Sequence, residues 1–305
     1  MGGFTSADVP AQTGRTILIT GANTGVGFEA ARVLAARGAR VLMACRDEGR
    51  ARAAMARIGA ETPAADLAFV PLDQADLASV RGAADRVLAE PRLDVLINNA
   101  GVMMPPLNRT AQGFELQLGV NHLGTFALTG LLLPKLAETG AASGEARIVA
   151  TASLAHRRAR IFWDDLDAHG PYDRYARYAQ SKLANLLFVL DLDRRLKASG
   201  LPVRALACHP GVSATELGRN LPAFLKPLFR IGGLIANPPS AAAWPTLQAA
   251  TDPAAVAGAY YGPQGSFEMR GASGLARAEP QAREPAAGER LWGASVAMTG
   301  IDPAI

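Results

Sequence analysis

The chain has 305 residues, 49% of them hydrophobic and 19% charged, which is apolar material for one large core and predicts a single domain. Lys and Arg number 31 against 27 Asp and Glu, a net charge of +4, and the arginines are scattered rather than gathered with aromatics into a stripe, which argues against nucleic acid as a partner. Cys45 and Cys208 lie far apart in apolar runs and read as reduced core thiols, so a cytoplasmic location is expected; the histidines, His122, His156, His169 and His209, show no ligand spacing and no metal is expected.

Residues 1–13 read as a flexible tail, with neither the basic start nor the apolar stretch of a secretion signal. Met1, Gly2 and Ser6 satisfy an acylation pattern that many unrelated chains also carry. No run of about 18 apolar residues is present, so stable membrane insertion is not expected.

From residue 14 to 305 the chain reads as one domain. Apolar, β-rich runs recur at "TILIT" (16–20), "ARVLMAC" (39–45), "LAFVPLD" (67–73), "LDVLINNA" (93–100), "ARIVATAS" (146–153) and "VRALACHP" (203–210), with a seventh expected near "GAYYG" (258–262). Helical periodicity fills the gaps, as from Phe28 to Arg37 and from Leu77 to Leu88. Near-continuous hydrophobic strands alternating with helices predict a doubly wound α/β Rossmann fold: a parallel sheet of about seven strands with helices on both faces.

The first strand runs into "TGANTGVG", where Gly21, Gly25 and Gly27 open a helix expected near Phe28. Glycines there permit a tight turn and let backbone N–H groups approach a pyrophosphate. Gly21, Asn23, Thr24, Gly25, Val26 and Gly27 are therefore candidate dinucleotide-binding residues; a plain strand-to-helix corner is the alternative. After the second strand the sequence reads "ACRDEGR": no carboxylate stands at Ala44 or Cys45, while Arg46 offers a guanidinium to a 2′-phosphate. NADP(H) is expected over NAD(H). Asp47 could reach a ribose or cap the next helix. The third strand leads to Asp73, placed to meet an adenine amino group or else to satisfy nearby backbone N–H groups as a loop carboxylate, and to Gln74, a further cofactor-binding candidate; Asp76 is expected as a helix cap.

Tyr172, Tyr175 and Tyr178 follow one another at intervals of three, but only Tyr178 has a lysine four residues on, Lys182. On a helix such a pair shares one face, and the ammonium favours the phenolate. Tyr178 is thus the tyrosine whose proton can be used.

"TGANTGVG", "NNAG" (98–101), Asn121 in "GVNHLGTF", Ser153 in "IVATAS", "YAQSK" (178–182) and "HPG" (209–211) occur in the order of the short-chain dehydrogenase/reductase family, which the chain resembles from about Arg15 onward. "ACRD", "NHLGTF" and "YAQSKLANLLF" look like the retinol dehydrogenase-like branch. The resemblance implies an NADP(H)-dependent oxidoreductase acting between a carbonyl and an alcohol. Tyr178 would exchange the proton, Ser153 would hydrogen-bond the same oxygen, Lys182 would bind the nicotinamide ribose and tune Tyr178, and Asn121 would hold a water linking Lys182 to solvent. Thr151 is a rival to Ser153 expected to point away. Asn99, Ala100 and Gly101 would lie where the cofactor crosses the sheet edge, with Gly101 leaving room for the ribose, and Pro210, Gly211, Val212 and Thr215 would border the nicotinamide; His209 reads as structural.

Between Ser153 and Tyr178 lie 24 residues, an insert whose Arg157, Arg158, Arg160, Phe162 and Trp163 are candidates for the substrate mouth. "LPAFLKPLFRIGGLI" (221–235) would form the other wall, and its apolar character suggests a lipophilic substrate. The branch's membrane anchor is not seen, which suits a bacterial member. By resemblance, a homodimer or homotetramer is expected through the helices holding Asn121 and Tyr178. The alternative reading is a non-catalytic NADP(H)-binding sensor or regulatory protein, against which the intact set of Asn121, Ser153, Tyr178 and Lys182 stands. An oligomeric scaffold would predict an eroded glycine turn.

Overall fold

A computed structural model describes residues 3–212 and 237–305. The strands are β1 (Thr16–Thr20), β2 (Arg40–Cys45), β3 (Asp66–Pro71), β4 (Val95–Asn98), β5 (Ala146–Thr151), β6 (Val203–Cys208), β7 (Tyr260–Pro263) and β8 (Ser273–Leu275). They form one sheet in the order β3-β2-β1-β4-β5-β6-β7-β8. Neighbours from β3 to β7 pair parallel, while β8 pairs antiparallel to β7, so the sheet is mixed and eight-stranded rather than seven-stranded and parallel. Three residues are too few to show periodicity, which is why β8 leaves no mark in the sequence.

Alternate strand residues serve opposite faces. Leu18 joins a core with α3 (Leu77–Leu88), α5 (Gly124–Ser143) and α6 (Arg174–Ala198). Ile17 and Ile19 join the other, with α1 (Gly25–Ala36), α2 (Glu48–Glu61), α7 (Pro239–Ala242) and α8 (Trp244–Thr251). Both faces being covered explains why the strands read as unbroken apolar runs.

Leu116–Ser143 is continuous helix, in which α4 (Leu116–Leu118) widens into a π turn at Gly119–Leu123 before α5. It is long and apolar enough to cross a membrane by length and composition, yet 89% of its most apolar window is buried inside the fold. Glycines make the turn possible: a Cβ at Gly119 would stand 2.3 Å from Thr110 Cγ2, and one at Gly124 2.8 Å from the Gln74 carbonyl.

The N-terminal stretch is packed on the domain rather than trailing from it. Phe4 exchanges backbone hydrogen bonds with Ser273, Thr5 and Asp8 form a capping box, and Val9 and Gln12 are buried. That pairing joins residues at opposite ends of the chain, so local sequence does not announce it.

Helix α9 (Pro285–Thr299) packs on α6, and Ile301 and Pro303 meet α5 at Gly130.

Candidate active site

The α/β turns at the carboxyl ends of β1 to β5 surround a cavity of about 920 Å³. At one end stands the glycine turn. Gly21 and Gly25 take positive φ values of 67° and 59°, and α1 begins at Gly25, one turn earlier than its apolar periodicity suggests. At Gly27 a Cβ would lie 2.4 Å from Asn99 Nδ2 and 2.5 Å from the Gly21 carbonyl, so only glycine lets helix and turn close together. Thr24, the N-cap, makes no side-chain cap bond, and no acid occupies the first turn. The helix thus presents its N-terminal donors toward the cavity, where an anion would satisfy them.

Thr20 and Asn99 brace this turn from beneath. Thr20 Oγ1 accepts from the N–H groups of Asn99 and Ala100 at 3.0 and 2.9 Å, and Asn99 Nδ2 donates to the Thr20 carbonyl at 2.8 Å. Asn99, Ala100 and Gly101 line the cavity as expected, with Gly21, Asn23, Thr24, Gly25, Val26, Arg46, Asp73 and Gln74.

Arg46 is exposed and lies 4.0 Å from the Asp73 carboxylate, a loose, largely solvated pair. Asp47 caps α2, accepting from the Arg50 N–H at 2.9 Å. Asp73 accepts from the Ala75 N–H, and Asp76 caps α3 by accepting from Ala78. Gln74 is buried, donating to the Val120 carbonyl and Thr125 Oγ1, while its Oε1 has no partner among the described residues.

Sequence reasoning missed the cavity face of α2. Arg50, Ala53, Ala54 and Arg57 all line the cavity, at the i, i+3, i+4, i+7 spacing that shares one helix face. Arg57 also stacks 4.3 Å over the Phe28 ring. Small residues between two guanidiniums were the signal available.

At the other end α6 presents Tyr178 and Lys182, 5% exposed each. Lys182 Nζ donates to the Thr151 carbonyl at 3.0 Å and lies 5.9 Å from the Tyr178 ring centroid. Thr151 turns its hydroxyl toward Cys208, 3.9 Å away, and so meets Lys182 through its backbone. Ser153 caps a short 3₁₀ turn at Leu154–Arg158, accepting from the Ala155 N–H at 3.2 Å; an oxygen used as acceptor keeps its own O–H to donate. His156, fully buried, donates from Nδ1 to the Ser153 carbonyl at 2.7 Å and accepts the Glu279 N–H at Nε2.

Asn121 sits in the π turn behind Gly101, where a Cβ would lie 3.0 Å from Asn121 Oδ1 and 3.5 Å from Lys182 Nζ. Its Oδ1 accepts from Val102 N–H at 2.7 Å, and Nδ2 donates to the Val102 carbonyl and Ser181 Oγ at 2.9 Å each. With both amide hydrogens taken, one lone pair of Oδ1 is left for the water expected there. Asn121, Ser153, Gly27, Pro210, Gly211 and Val212 do not themselves line the cavity.

Past β6, His209 is buried, donating from Nε2 to Glu268 at 3.2 Å and accepting the Gly211 N–H at Nδ1, in keeping with a structural role. Gly211 (φ 76°) lies against the Met269 carbonyl, which also accepts from Val212. Thr215 and the stretch 221–235 lie outside the described residues.

The insert is clamped rather than open. Arg177 bonds the Asp165 carbonyl and carboxylate and stacks on Phe162 at 4.5 Å, Arg290 covers Trp163 at 4.4 Å, and Arg157 pairs with Glu268 at 2.7 Å. None of Arg157, Arg158, Arg160, Phe162 and Trp163 lines the cavity.

Burial pushes the Cys45 thiol up to about 11, and both cysteines are free and buried. Among the described residues no cluster suited to a metal ion is present.

The short chain dehydrogenase family model matches residues 15–225. Human retinol dehydrogenase 13 is 42% identical over 303 residues, 95% of this chain and 86% of that protein. Mouse polyprenol dehydrogenase is 40% identical over 309 residues, 98% of this chain and 88% of that one. Among solved structures, an uncharacterised protein from Mycobacterium paratuberculosis superposes with a TM-score of 0.81 at 38% identity, covering 99% of this chain and 100% of its own. A short chain dehydrogenase from Shigella flexneri 2a complexed with NADP gives 0.60 at 25% identity over 80% and 94%. The chain therefore belongs to the short-chain dehydrogenase family, on its retinol dehydrogenase-like branch, with the fold of an NAD(P)-dependent oxidoreductase.

Proposed function

We propose that the protein is an NADP(H)-dependent oxidoreductase that interconverts a lipophilic aldehyde or ketone and its alcohol. The observation that carries this reading is one cavity with two chemistries: uncapped helix donors and Arg46 at one end, Tyr178 and Lys182 at the other. The cavity suits a dinucleotide because Gly21 and Gly27 let the backbone approach closely and the α1 N-terminus offers anion-binding donors.

Bound NADP(H) supplies or accepts the hydride. Tyr178 gives a proton to the carbonyl oxygen during reduction and removes it from the alcohol during oxidation. Ser153 donates to that oxygen, stabilising the charge that grows on it. Lys182, fixed by the Thr151 carbonyl, lends positive charge beside the Tyr178 phenol and reaches the nicotinamide ribose. Asn121 holds Val102 and Ser181 in place. Arg46 would take the 2′-phosphate, Asp73 and Gln74 would border the adenine, and Pro210, Gly211 and Val212 would stand toward the nicotinamide. A lipophilic substrate is supported by the apolar Met103, Pro105, Leu116 and Val120 in the cavity wall and by the names of the relatives, a retinol and a polyprenol dehydrogenase. We place the protein in the cytoplasm.

The test is a comparison of NADPH and NADH binding by nicotinamide fluorescence, followed by turnover against a panel of apolar carbonyls. Tighter NADPH binding and turnover of at least one apolar carbonyl are expected. NADPH binding with no turnover across the panel would favour the sensor reading.

A further inference from the structure

Tyr172, the first of the three closely spaced tyrosines, takes no part in the proton chemistry assigned to Tyr178, yet its hydroxyl belongs to a directed chain of hydrogen bonds. It donates to Glu115 Oε1 at 3.0 Å and accepts from Gln117 Nε2 at 2.9 Å. Glu115 and Gln117 are both fully buried. The Glu115 carboxylate caps α4, accepting the Gln117 and Leu118 N–H groups at 2.8 Å each. Because a carboxylate only accepts, the phenol spends its one hydrogen there and has lone pairs left for the amide. Gln117 must therefore turn its nitrogen to Tyr172 and to the Arg174 carbonyl, 3.0 Å away, and its oxygen to the Met104 N–H, which it accepts at 2.8 Å.

What Gln117 holds is a wall of the cavity. Met104 has φ 50°, a left-handed conformation that a side-chain-bearing residue keeps only where its surroundings hold it. Its neighbours Met103 and Pro105 line the cavity, and Met104 does not. Four residues after Gln117, and so on the same helix face, Asn121 takes both the N–H and the carbonyl of Val102, at 2.7 and 2.9 Å. Two buried amides thus clamp Val102 and Met104, and Pro105 has no N–H to satisfy. With those backbone groups paired to the helix, the wall offers the cavity the side chains of Val102, Met103 and Pro105, beside Leu116 and Val120. An apolar chain seated there leaves no backbone group of Val102 unpaired, whereas a polar one would give up its water without gaining a partner.

We propose that Gln117 and Tyr172 are positioning residues for substrate selection: Tyr172 fixes the direction of the Gln117 amide, Gln117 holds Met104 left-handed, and the wall so set at Met103 and Pro105 seats the apolar tail of the carbonyl substrate. This rests on the oxidoreductase reading above and adds to it the residues that choose the tail. The insert between Ser153 and Tyr178 then acts on the substrate through Tyr172 rather than by lining the cavity, and its Asp167 steadies the same unit by accepting the Glu115 N–H at 2.6 Å.

Tyr172→Phe removes one hydroxyl and leaves Glu115 its two backbone donors, so the fold is kept. Steady-state kinetics with NADPH compare a short aldehyde, butanal, with a long one, decanal. In the variant KM for decanal is expected to rise roughly three- to tenfold, the effect of one hydrogen bond, with kcat for both aldehydes, KM for butanal and NADPH affinity little changed. An unchanged KM for decanal, or a fall in kcat shared by both aldehydes, would overturn the proposal. Amide hydrogen exchange at Met104 and Val102 tests the clamp without any turnover: Met104 is expected to exchange severalfold faster in Tyr172→Phe and in Gln117→Leu, while Val102, still held by Asn121, keeps its native rate. Turnover of neither aldehyde by the native protein would contradict the oxidoreductase reading on which the wall's purpose rests, whereas equal Met104 exchange in native protein and both variants would contradict the clamp itself.

Discussion

Lys182 Nζ stands 5.9 Å from the centroid of the Tyr178 ring while donating at 3.0 Å to the carbonyl of Thr151, the last residue of β5. The four-residue spacing on α6 puts phenol and ammonium on one face, and the strand end fixes the ammonium. A charge held by backbone is worth more to a neighbouring phenol than one on a freely rotating stem, because no reorganisation is needed when the proton moves. Removing the glycine at position 101 would disturb this arrangement, since a Cβ there meets both Asn121 and Lys182.

Arg46 is the residue expected to tell NADPH from NADH. Its guanidinium is exposed and held only by a 4.0 Å approach to Asp73, so it can turn to a phosphate at little cost. A charge-assisted hydrogen bond contributes about 1.5–3 kcal/mol, so Arg46→Ala should weaken NADPH binding by roughly ten- to a hundredfold and leave NADH nearly unchanged. Fluorescence titration of both cofactors checks this; equal losses for the two would remove Arg46 from the 2′-phosphate site.

Much of this site could be read before the structure, and the rest could not, for physical reasons. "TILIT" coincides with β1 and Leu77–Leu88 with α3, because a strand covered on both faces is a continuous apolar run and an amphipathic helix repeats. The glycine turn, Asn99 and the Tyr178/Lys182 pair were legible because local turn and helix geometry places them. Arg50 and Arg57 were not: which face of α2 meets the cavity is a matter of tertiary packing. The same holds for the docked N-terminal segment, whose partner Ser273 is distant in sequence, and for the insert, where stacked arginines carry Phe162 and Trp163 away from the cavity.

Gly27 is expected to tolerate no side chain. A Cβ would meet Asn99 Nδ2 at 2.4 Å and the Gly21 carbonyl at 2.5 Å, both held in the turn. Gly27→Ala should therefore push α1 off the turn, abolish NADPH binding and lower Tm by several degrees. Calorimetry and titration on the same variant test it, with unaltered NADPH affinity as the contrary result.

Acid should destabilise the protein before its carboxylates titrate. His122, His156 and His209 are buried, and burial holds each below its usual range, His122 at about 4. Around His209 stand Glu268, which favours its charged form, and Arg157, which opposes it; His156 faces Arg157, Glu279 and His209. A histidine depressed in the folded chain binds its proton more readily unfolded, so stability is full above about pH 6.5 and is lost as pH falls toward the folded value. At pH 5 the loss is about 2 kcal/mol for a fully shifted histidine, at about 1.4 kcal/mol per unit. Glu268, also lowered, contributes stability that disappears only at lower pH. Thermal melts should therefore give a Tm several degrees lower at about pH 5 than at about pH 7.5, and a flat profile would contradict the buried neutral histidines.

The most direct measurement is turnover and NADPH affinity of Tyr178→Phe, assayed against whichever apolar carbonyl the native protein reduces. Loss of general acid catalysis costs about 10²–10⁴-fold. The expected result is turnover reduced by at least that range with NADPH affinity within a fewfold of native, because the phenyl ring still fills its place beside Lys182. Turnover retained at the native level would show that another group supplies the proton, and would contradict the assignment of Tyr178.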